Sequence, residues 1–457
     1  MSSSDTYETK LDAARCNFVF WNRTRIYIIL MTLTCLTFIQ MNTLTFSFSV
    51  ICMHDVMEDS RLNSTHWFSQ TTEKSIIFSG AAIDGLIGLL PSVPLISFFG
   101  FKSVLVFYGI ISSLGTFMFP MAVFSGFYIS LLCRILQGFG SAIIFTAVGV
   151  VPGIWAPKSE ANTFMAVLSC AYQLSNIVCM PVSGILCESV LGWRSIYYLF
   201  GSLTLMIYIL FWFTYSDNPE DNRFISQEEL SQITCGKIEK IKEPVPYISV
   251  CKDPTVLITW LSCFGGSMGF YILSLYGPTY LREVFKFEIK ATGFLTSLPF
   301  VLAAVSKLSA GRLSDKLTFL SEKARFVFFA AISQMGLAGG MAVMAFTTNR
   351  LLAQVAFNFA IVCSGMNIMG VIKCAQLRCQ QHVHFTLAVI SFTGYADQFL
   401  APILVRVICP DNTSQQWSIL FYFVSVLVVL CNLGFPSIAK SEAADYTKPR
   451  TQKTDKF

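Results

Sequence analysis

Twelve apolar stretches, each long enough to cross a lipid bilayer, constrain this chain more than any other feature. A transmembrane helix needs roughly 20 apolar residues, and the chain is 54% hydrophobic and only 13% charged. Because lipid offers no hydrogen-bonding partners, the backbone of each stretch must satisfy itself as a helix. The sequence therefore predicts an all-α membrane protein with twelve transmembrane helices. We place the spans at residues 26–52, 75–98, 102–122, 127–151, 161–187, 193–215, 255–281, 292–311, 325–347, 351–374, 385–407 and 417–435.

A polar break divides these stretches six and six. We predict a cytosolic tail at residues 1–25, a six-helix half at 26–216, a cytosolic linker at 217–254, a second six-helix half at 255–437 and a cytosolic tail at 438–457. Within the linker, Ser226 and Glu229 have the spacing of a capping box and predict a helix over residues 225–241. Two six-helix halves joined by a cytosolic linker are the layout of secondary transporters of the major facilitator type.

Lysine and arginine set the expected orientation. Most of the 32 lie on the side that places both termini in the cytosol, as the positive-inside rule requires. The sequons at Asn63 and Asn412 then face outward, and we expect a glycan on Asn63. The net charge of +5 is therefore a topology signal and does not indicate nucleic-acid binding. No cleavable signal peptide is expected, and the pattern fits the plasma membrane as well as a vesicular or lysosomal membrane.

The 15 cysteines predict neither a metal site nor a disulfide framework. Most fall within predicted spans, where a thiol behaves as a small apolar group. Cys52 and Cys409 both lie near the predicted outer face and could pair, although the sequence does not favour this bond. The sequence contains no phosphate-binding loop, and we expect no cofactor and no ATP-driven pumping.

The predicted loop after the eighth span carries a motif known from major facilitator transporters. Residues Gly311–Lys316 read GRLSDK, which matches the G-x-L-(S/A)-D-(R/K) gating signature, with Arg312 at its second position. The match implies that Gly311 permits close approach of helices. It also implies that Asp315 caps a neighbouring helix and pairs with an arginine in one conformational state.

Further blocks are more specific. They are Cys133–Gly138 followed by Gly153–Pro157, then Gly192–Gly201, Gly277–Phe285 and Asn412–Trp417. Together they resemble the family that contains sialin, the vesicular glutamate transporters and the type I sodium–phosphate cotransporters, over about residues 25–437. The resemblance implies anion transport driven by a Na⁺ or H⁺ gradient or by membrane potential.

The predicted site departs from the pattern of that family. Its members with acidic substrates carry arginines in spans 1, 4 and 7, and here only Arg134 in span 4 matches. Thr43 and Gly266 stand at the other two positions, Phe78 replaces the histidine of span 2, and Ser141 replaces the proton-linked glutamate of span 4. The resemblance thus implies that Arg134 binds the anion, although most of the constellation that binds a dicarboxylate is missing.

The predicted spans contain two carboxylates instead. Asp84 lies in the middle of the second span and Asp397 in the middle of the eleventh. Each costs roughly 2.5–3.5 kcal/mol at the bilayer centre on insertion scales, so each is a functional candidate by default. Burial favours a protonated carboxyl, which would allow proton coupling. The alternative is a structural ion pair, for example between Asp84 and Arg134.

These features favour a secondary transporter of a small organic anion or inorganic phosphate, coupled to Na⁺, H⁺ or membrane potential. With one arginine retained and two carboxylates added, we expect poor transport of glutamate and aspartate. Two alternatives stay open. The lost arginines also fit a transporter-like sensor or scaffold without flux. A polytopic membrane enzyme fits less well, because the chain has only four histidines.

Overall fold

The computed structural model describes residues 23–53, 55–56, 67–157, 160–234, 246–316 and 320–447. Within these ranges the regular secondary structure is helical, with no strand, and the predicted all-α fold is confirmed. The α-helices, in chain order, are α1 (Thr24–Ser49), α2 (Thr71–Ser125), α3 (Phe127–Phe139), α4 (Ile144–Trp155), α5 (Ala161–Leu168), α6 (Ala171–Glu188), α7 (Arg194–Thr214), α8 (Gln227–Thr234), α9 (Tyr247–Lys252), α10 (Pro254–Glu283), α11 (Ile289–Lys316), α12 (Glu322–Phe346), α13 (Arg350–Ser364), α14 (Val371–Cys379), α15 (Val383–Ile408), α16 (Ser414–Asn432) and α17 (Phe435–Ile438).

Eleven stretches of the described residues are long and apolar enough to cross a membrane, and each overlaps a predicted span. The remaining prediction, 75–98, falls in the first part of α2. Gly100 breaks this helix, because its φ of 81° and ψ of 158° are not helical. Only glycine adopts such a φ without a steric cost from Cβ. The second and third predicted spans therefore meet at a kink rather than at a loop.

The first of two compact units comprises the described residues of Met1–Glu73 and Gly80–Ile241. A buried polar network crosses its apolar core. Asn42 Nδ2 donates to Ser112 Oγ at 3.1 Å, and Ser112 Oγ donates to the carbonyl of Gln137 at 3.0 Å. Thr204 Oγ1 donates to Asn42 Oδ1 at 3.3 Å. Four helices are thus joined by hydrogen bonds that each satisfy a buried polar atom.

A disulfide joins the end of α1 to the end of α6 in this unit. It links Cys52 with Cys187, whose Cα atoms lie 6.1 Å apart. The pairing of Cys52 with Cys409, which the sequence allowed but did not favour, is therefore not formed, and Cys409 is a buried free thiol. A pairing between residues 135 positions apart depends on which helix ends meet in space, and spacing along the chain does not encode this.

The linker helix α8 holds the start of α1. Ser226 Oγ accepts from the Glu229 N–H at 3.2 Å, as the predicted cap requires. The Glu229 carboxylate, however, accepts from the backbone N–H groups of Thr24 at 3.0 Å and Arg25 at 2.9 Å. Those N–H groups have no partner within their own helix, and a carboxylate there also complements the helix dipole. The predicted helix 225–241 is described from Gln227 to Thr234, and residues 235–245 lie outside the described ranges.

The second unit comprises Lys74–Ser79 and the described part of Lys242–Phe457. Asp253 caps the start of α10 by accepting from Thr255 N at 2.9 Å. The same carboxylate pairs with Arg378 Nε at 2.6 Å. Arg378 also donates to the carbonyl of Glu442 at 3.1 Å, and its own carbonyl accepts from Ala444 N at 3.0 Å. The described part of the predicted C-terminal tail is therefore hydrogen-bonded to this unit.

Candidate functional site

Each unit contains a membrane helix that is interrupted in its middle. In the first unit, α3 passes through the 3-10 turn Gly140–Ile143 into α4. In the second, α13 passes through the 3-10 turn Gly365–Ile368 before α14 begins. In hydrocarbon, irregular backbone persists where protein buries it or where it lines a cavity, and ligand sites form at such interruptions. Buried polar groups lie near both turns.

Arg134 lies on α3, six residues before the first turn, and is 1% exposed. Its Nη1 donates to the backbone carbonyl of Thr43 at 3.2 Å and to Gln137 Oε1 at 2.6 Å. Its guanidinium carbon lies 5.0 Å from the centre of the Phe46 ring, within the range of a cation–π contact. The structure thus joins two positions that the sequence singled out, Thr43 of the first span and Arg134 of the fourth.

Three further polar atoms near this guanidinium have no hydrogen-bond partner among the described residues. They are Thr43 Oγ1, Ser47 Oγ and Gln137 Nε2. All three side chains are at most 1% exposed. Thr43 and Gln137 contact Arg134 directly, and Ser47 lies one helical turn beyond Thr43 on the same face of α1. Each of these two hydroxyls and this amide can donate a hydrogen bond to an oxygen acceptor, as the guanidinium can.

Asp397 lies on α15 in the second unit, and its environment is different. It is 0% exposed, and neither carboxylate oxygen has a hydrogen-bond partner within the part of the chain that the structure describes. The thiols of Cys263 on α10 and Cys431 on α16 lie within electrostatic range of it. A thiol is only weakly polar, so these two groups do little to stabilise a negative charge on the buried acid.

A short polar chain leads from this region to the interruption between α13 and α14. Cys263 lies against Asn367 in the second 3-10 turn, and Asn367 Oδ1 accepts from Gln334 Nε2 at 3.1 Å. Gly266 provides the space for that amide, because a Cβ at this position would lie 2.5 Å from Gln334 Oε1. Glycine at the position of the family's third arginine thus allows a neutral amide to pack against the backbone of α10.

Comparison with known proteins identifies the family. The sequence profile of the Major Facilitator Superfamily matches residues 30–402. The chain belongs to the Major Facilitator Superfamily. Human sialin (Homo sapiens) is 24% identical over 368 residues, which cover 79% of this chain and 74% of sialin. Sodium-dependent phosphate transport protein 1 of Oryctolagus cuniculus is 23% identical over 385 residues, which cover 82% of both chains.

The fold also matches a solved structure of the superfamily. The inward-open xylose transporter XylE from E. coli aligns with a TM-score of 0.69, covering 91% of this chain and 96% of that chain at 14% identity. This similarity concerns the fold alone. The prediction of a major facilitator transporter, rather than an enzyme, is confirmed by the profile and by the curated relatives.

Several predicted site residues of this superfamily member fall outside what the structure describes. Asn63 lies outside the described ranges, as do the side chains of Asp84, Arg312 and Asp315. The backbone at 311–316 is helical and forms the last turns of α11. The gating motif therefore ends a helix, whereas the sequence placed it in a loop. Arg, Leu and Lys favour helix, so the helix extends beyond the apolar span.

The backbone of α2 nevertheless shows which face approaches α3. A Cβ at Gly80 would lie 3.3 Å from the Cβ of Arg134, and a Cβ at Gly88 would lie 2.8 Å from the Cβ of Ala142. Glycines on one face permit such close packing of membrane helices. Residue 84 is one turn from each glycine along the same helix, so its backbone belongs to the face that packs against the helix of Arg134.

Sequence reasoning missed Asp217, which lies just after α7. Its Oδ1 accepts from Lys102 N at 2.8 Å, at the kink that Gly100 introduces into α2. Burial raises the pKa of the Asp217 carboxyl, while the bonds and charge of Lys102 lower it. The segment after the second span has no acid of its own, and this carboxylate reaches it from a residue more than 100 positions away.

Proposed function

We propose that this chain is a secondary transporter of a small anion, an organic acid or inorganic phosphate, and that Arg134 binds its anionic group. The observation that carries this proposal is the set of unpartnered donors near a buried guanidinium. Thr43 Oγ1, Ser47 Oγ and Gln137 Nε2 have no acceptor in the described structure. Sodium-dependent phosphate transport protein 1 is named for the transport of an anion, which supports the same substrate class.

An anion oxygen supplies what these groups lack. A buried donor without a partner costs about 1–3 kcal/mol, and an acceptor that arrives with the substrate removes that cost. The guanidinium supplies the opposite charge and parallel N–H groups that fit a carboxylate or phosphate. With a single guanidinium at the site, we propose that one negative charge is matched and that a second one is not.

Asp84 is the proposed competitor for this guanidinium. Its backbone lies on the face of α2 that packs against α3, where Gly80 approaches Arg134. If the Asp84 carboxylate pairs with Arg134 in the empty transporter, the arriving anion must replace it. Asp84→Asn removes that competitor, so we expect the KM for the anion to fall while the dependence of uptake on pH is retained. Loss of the pH dependence in Asp84→Asn would instead make Asp84 the proton carrier.

The proposed orientation places both termini in the cytosol and Asn63 outside or in a lumen. The bond between Cys52 and Cys187 supports this, because both residues lie on the predicted outer side and disulfides persist in oxidising compartments. We expect Asn63→Gln to abolish a glycosidase-sensitive mass shift. Asn22→Gln should have no effect, because the sequon Asn22-Arg23-Thr24 lies in the predicted cytosolic tail. A glycan on Asn22 would reverse the orientation.

Uptake into proteoliposomes tests the transport proposal. The purified protein would be given a panel of labelled anions, comprising phosphate, a sugar acid with one carboxylate, lactate and glutamate, under imposed Na⁺, H⁺ or voltage gradients. We expect saturable uptake of at least one monovalent anion, with competition by others. Absence of saturable flux for every anion under every gradient would favour the sensor or scaffold.

A further inference from the structure

The carboxyl group of Asp397 is the buried ionisable group that the proposed anion site does not use. It lies in the second unit on α15, and its side chain is fully buried. Neither of its oxygens has a hydrogen-bond partner among the described residues. A carboxylate in such a place would be a charge without water, without a donor and without a counter-ion.

The elements packed against α15 identify the groups that face this acid. The thiol of Cys263 comes from α10 and that of Cys431 from α16, and both are within electrostatic range. From α14, the cationic Arg378 is already paired with Asp253 at 2.6 Å, near the end of that helix. His382 precedes α15 and lies four turns from Asp397 along the chain. Lys373 of α14 and Arg406 of α15 are further cations on these helices, and neither is hydrogen-bonded to an Asp397 oxygen.

We propose that Asp397 is the site that carries the coupling proton. In the conformation described, one carboxylate oxygen holds the proton and the group is neutral. In a conformation that admits water to α15, the O–H bond breaks, the proton leaves to water, and the carboxylate remains until it takes up another proton. This inference rests on the proposed function, because it assigns the driving ion of that transport.

The surroundings favour a proton over Na⁺. A hard cation such as Na⁺ prefers several oxygen ligands, and no described hydroxyl or amide group is hydrogen-bonded to either Asp397 oxygen. A proton needs a single carboxylate oxygen and no further ligand. The chain formed by Cys263, Asn367 and Gln334 gives a polar connection from this region to the interruption before α14, where Gln334 Oε1 is itself buried and unpartnered.

Accumulation of substrate separates a coupling residue from a structural one. For one proton per anion, a gradient of about one pH unit supports about tenfold accumulation. We expect wild type to reach this ratio with the anion found active above, and Asp397→Asn to fall to a ratio of about one. Exchange of labelled for unlabelled anion, which needs no net proton movement, should continue in Asp397→Asn at a rate within about twofold of wild type. Asp221→Asn, a change at an exposed acid of the linker, is the matched control and should behave as wild type.

Two results would overturn the proposal. One is accumulation driven by the pH gradient in Asp397→Asn. The other is wild-type accumulation that follows a Na⁺ gradient and ignores pH. If Asp397→Asn neither accumulates nor exchanges the anion, infrared difference spectroscopy tests the proposal without transport. A buried protonated carboxyl gives a carbonyl band that should be present in wild type and Asp221→Asn and missing in Asp397→Asn. Absence of that band from the wild type would also refute the proposal, even if no anion were transported.

Discussion

Arg134 and Asp397 are both buried ionisable groups within predicted spans, one in each unit, and their surroundings are opposite. Arg134 donates to a backbone carbonyl and to an amide oxygen, and it lies against the face of an aromatic ring. Asp397 has no hydrogen-bond partner for either oxygen among the described residues. A buried group that stays charged throughout the transport cycle needs hydrogen-bonding partners in its folded position. A group that is neutral for part of the cycle needs no permanent partner. The contrast supports the proposal of a fixed charge at Arg134 in the first unit and a changing one at Asp397 in the second.

The largest expected effect is at the fixed charge. Arg134→Lys keeps the positive charge but loses the planar set of donors that reaches an anion. Hydrogen bonds to charged groups contribute about 1.5–3 kcal/mol, so we expect initial uptake to fall about 10- to 100-fold. Arg194→Lys is the control, because Arg194 is about half exposed and pairs with Asp55 at 3.0 Å.

Membrane expression should be near normal for both arginine variants. Wild-type uptake by Arg134→Ala would mean that Arg134 is structural. The contrast between an anion-binding Arg134 and a proton-carrying Asp397 would then no longer hold.

The second prediction concerns charge balance. One guanidinium matches one carboxylate, and a second carboxylate buried without a partner costs several kcal/mol. At equal concentration, we expect glutamate and aspartate to be taken up at least about tenfold more slowly than a monovalent anion of similar size. Robust saturable uptake of glutamate by the wild type would show that another positive group completes the site.

The third prediction compares stability at the two groups. Arg134→Met removes the donors to Thr43 O and Gln137 Oε1, and leaving buried acceptors unpaired should lower the free energy of unfolding by about 1–3 kcal/mol. Asp397→Asn replaces one neutral group by another of the same shape and should leave the thermal midpoint in detergent unchanged. A large loss of stability in Asp397→Asn would indicate that the native acid is charged and matched by a partner.

Much of this architecture follows from local sequence. The spans are predictable because each is a continuous apolar run, and Arg134 is noticeable because a guanidinium is rare inside such a run. Gly311, Arg312 and Asp315 are recognised as a motif, yet their helical backbone was not predicted. The helix continues through this motif to Lys316, beyond the predicted end of the span, and hydropathy does not distinguish a polar helix end from a loop.

What the sequence could not provide are contacts between distant segments. Cys52 meets Cys187, and Asp217 reaches the kink at Gly100, because separate helix ends are adjacent in space. The donors without a partner near Arg134 are likewise a feature that only the three-dimensional structure reveals. Ser47 is an ordinary hydroxyl in an apolar run, and only the three-dimensional structure shows that nothing described accepts its hydrogen bond.

The smallest expected effect, and the finest test of the fixed-charge site, compares Ser47 with Ser49. Both lie on α1 and both are 0% exposed. Ser49 Oγ is hydrogen-bonded to the hydroxyl of Tyr197 at 2.6 Å, whereas Ser47 Oγ has no described partner. A neutral hydrogen bond to the substrate contributes about 1 kcal/mol, so Ser47→Ala should raise the KM for the anion about fivefold without loss of thermal stability. Ser49→Ala should lower the stability and leave KM nearly unchanged. If both variants affect only stability, the Ser47 donor does not meet the substrate, and the anion is bound by the other groups around Arg134.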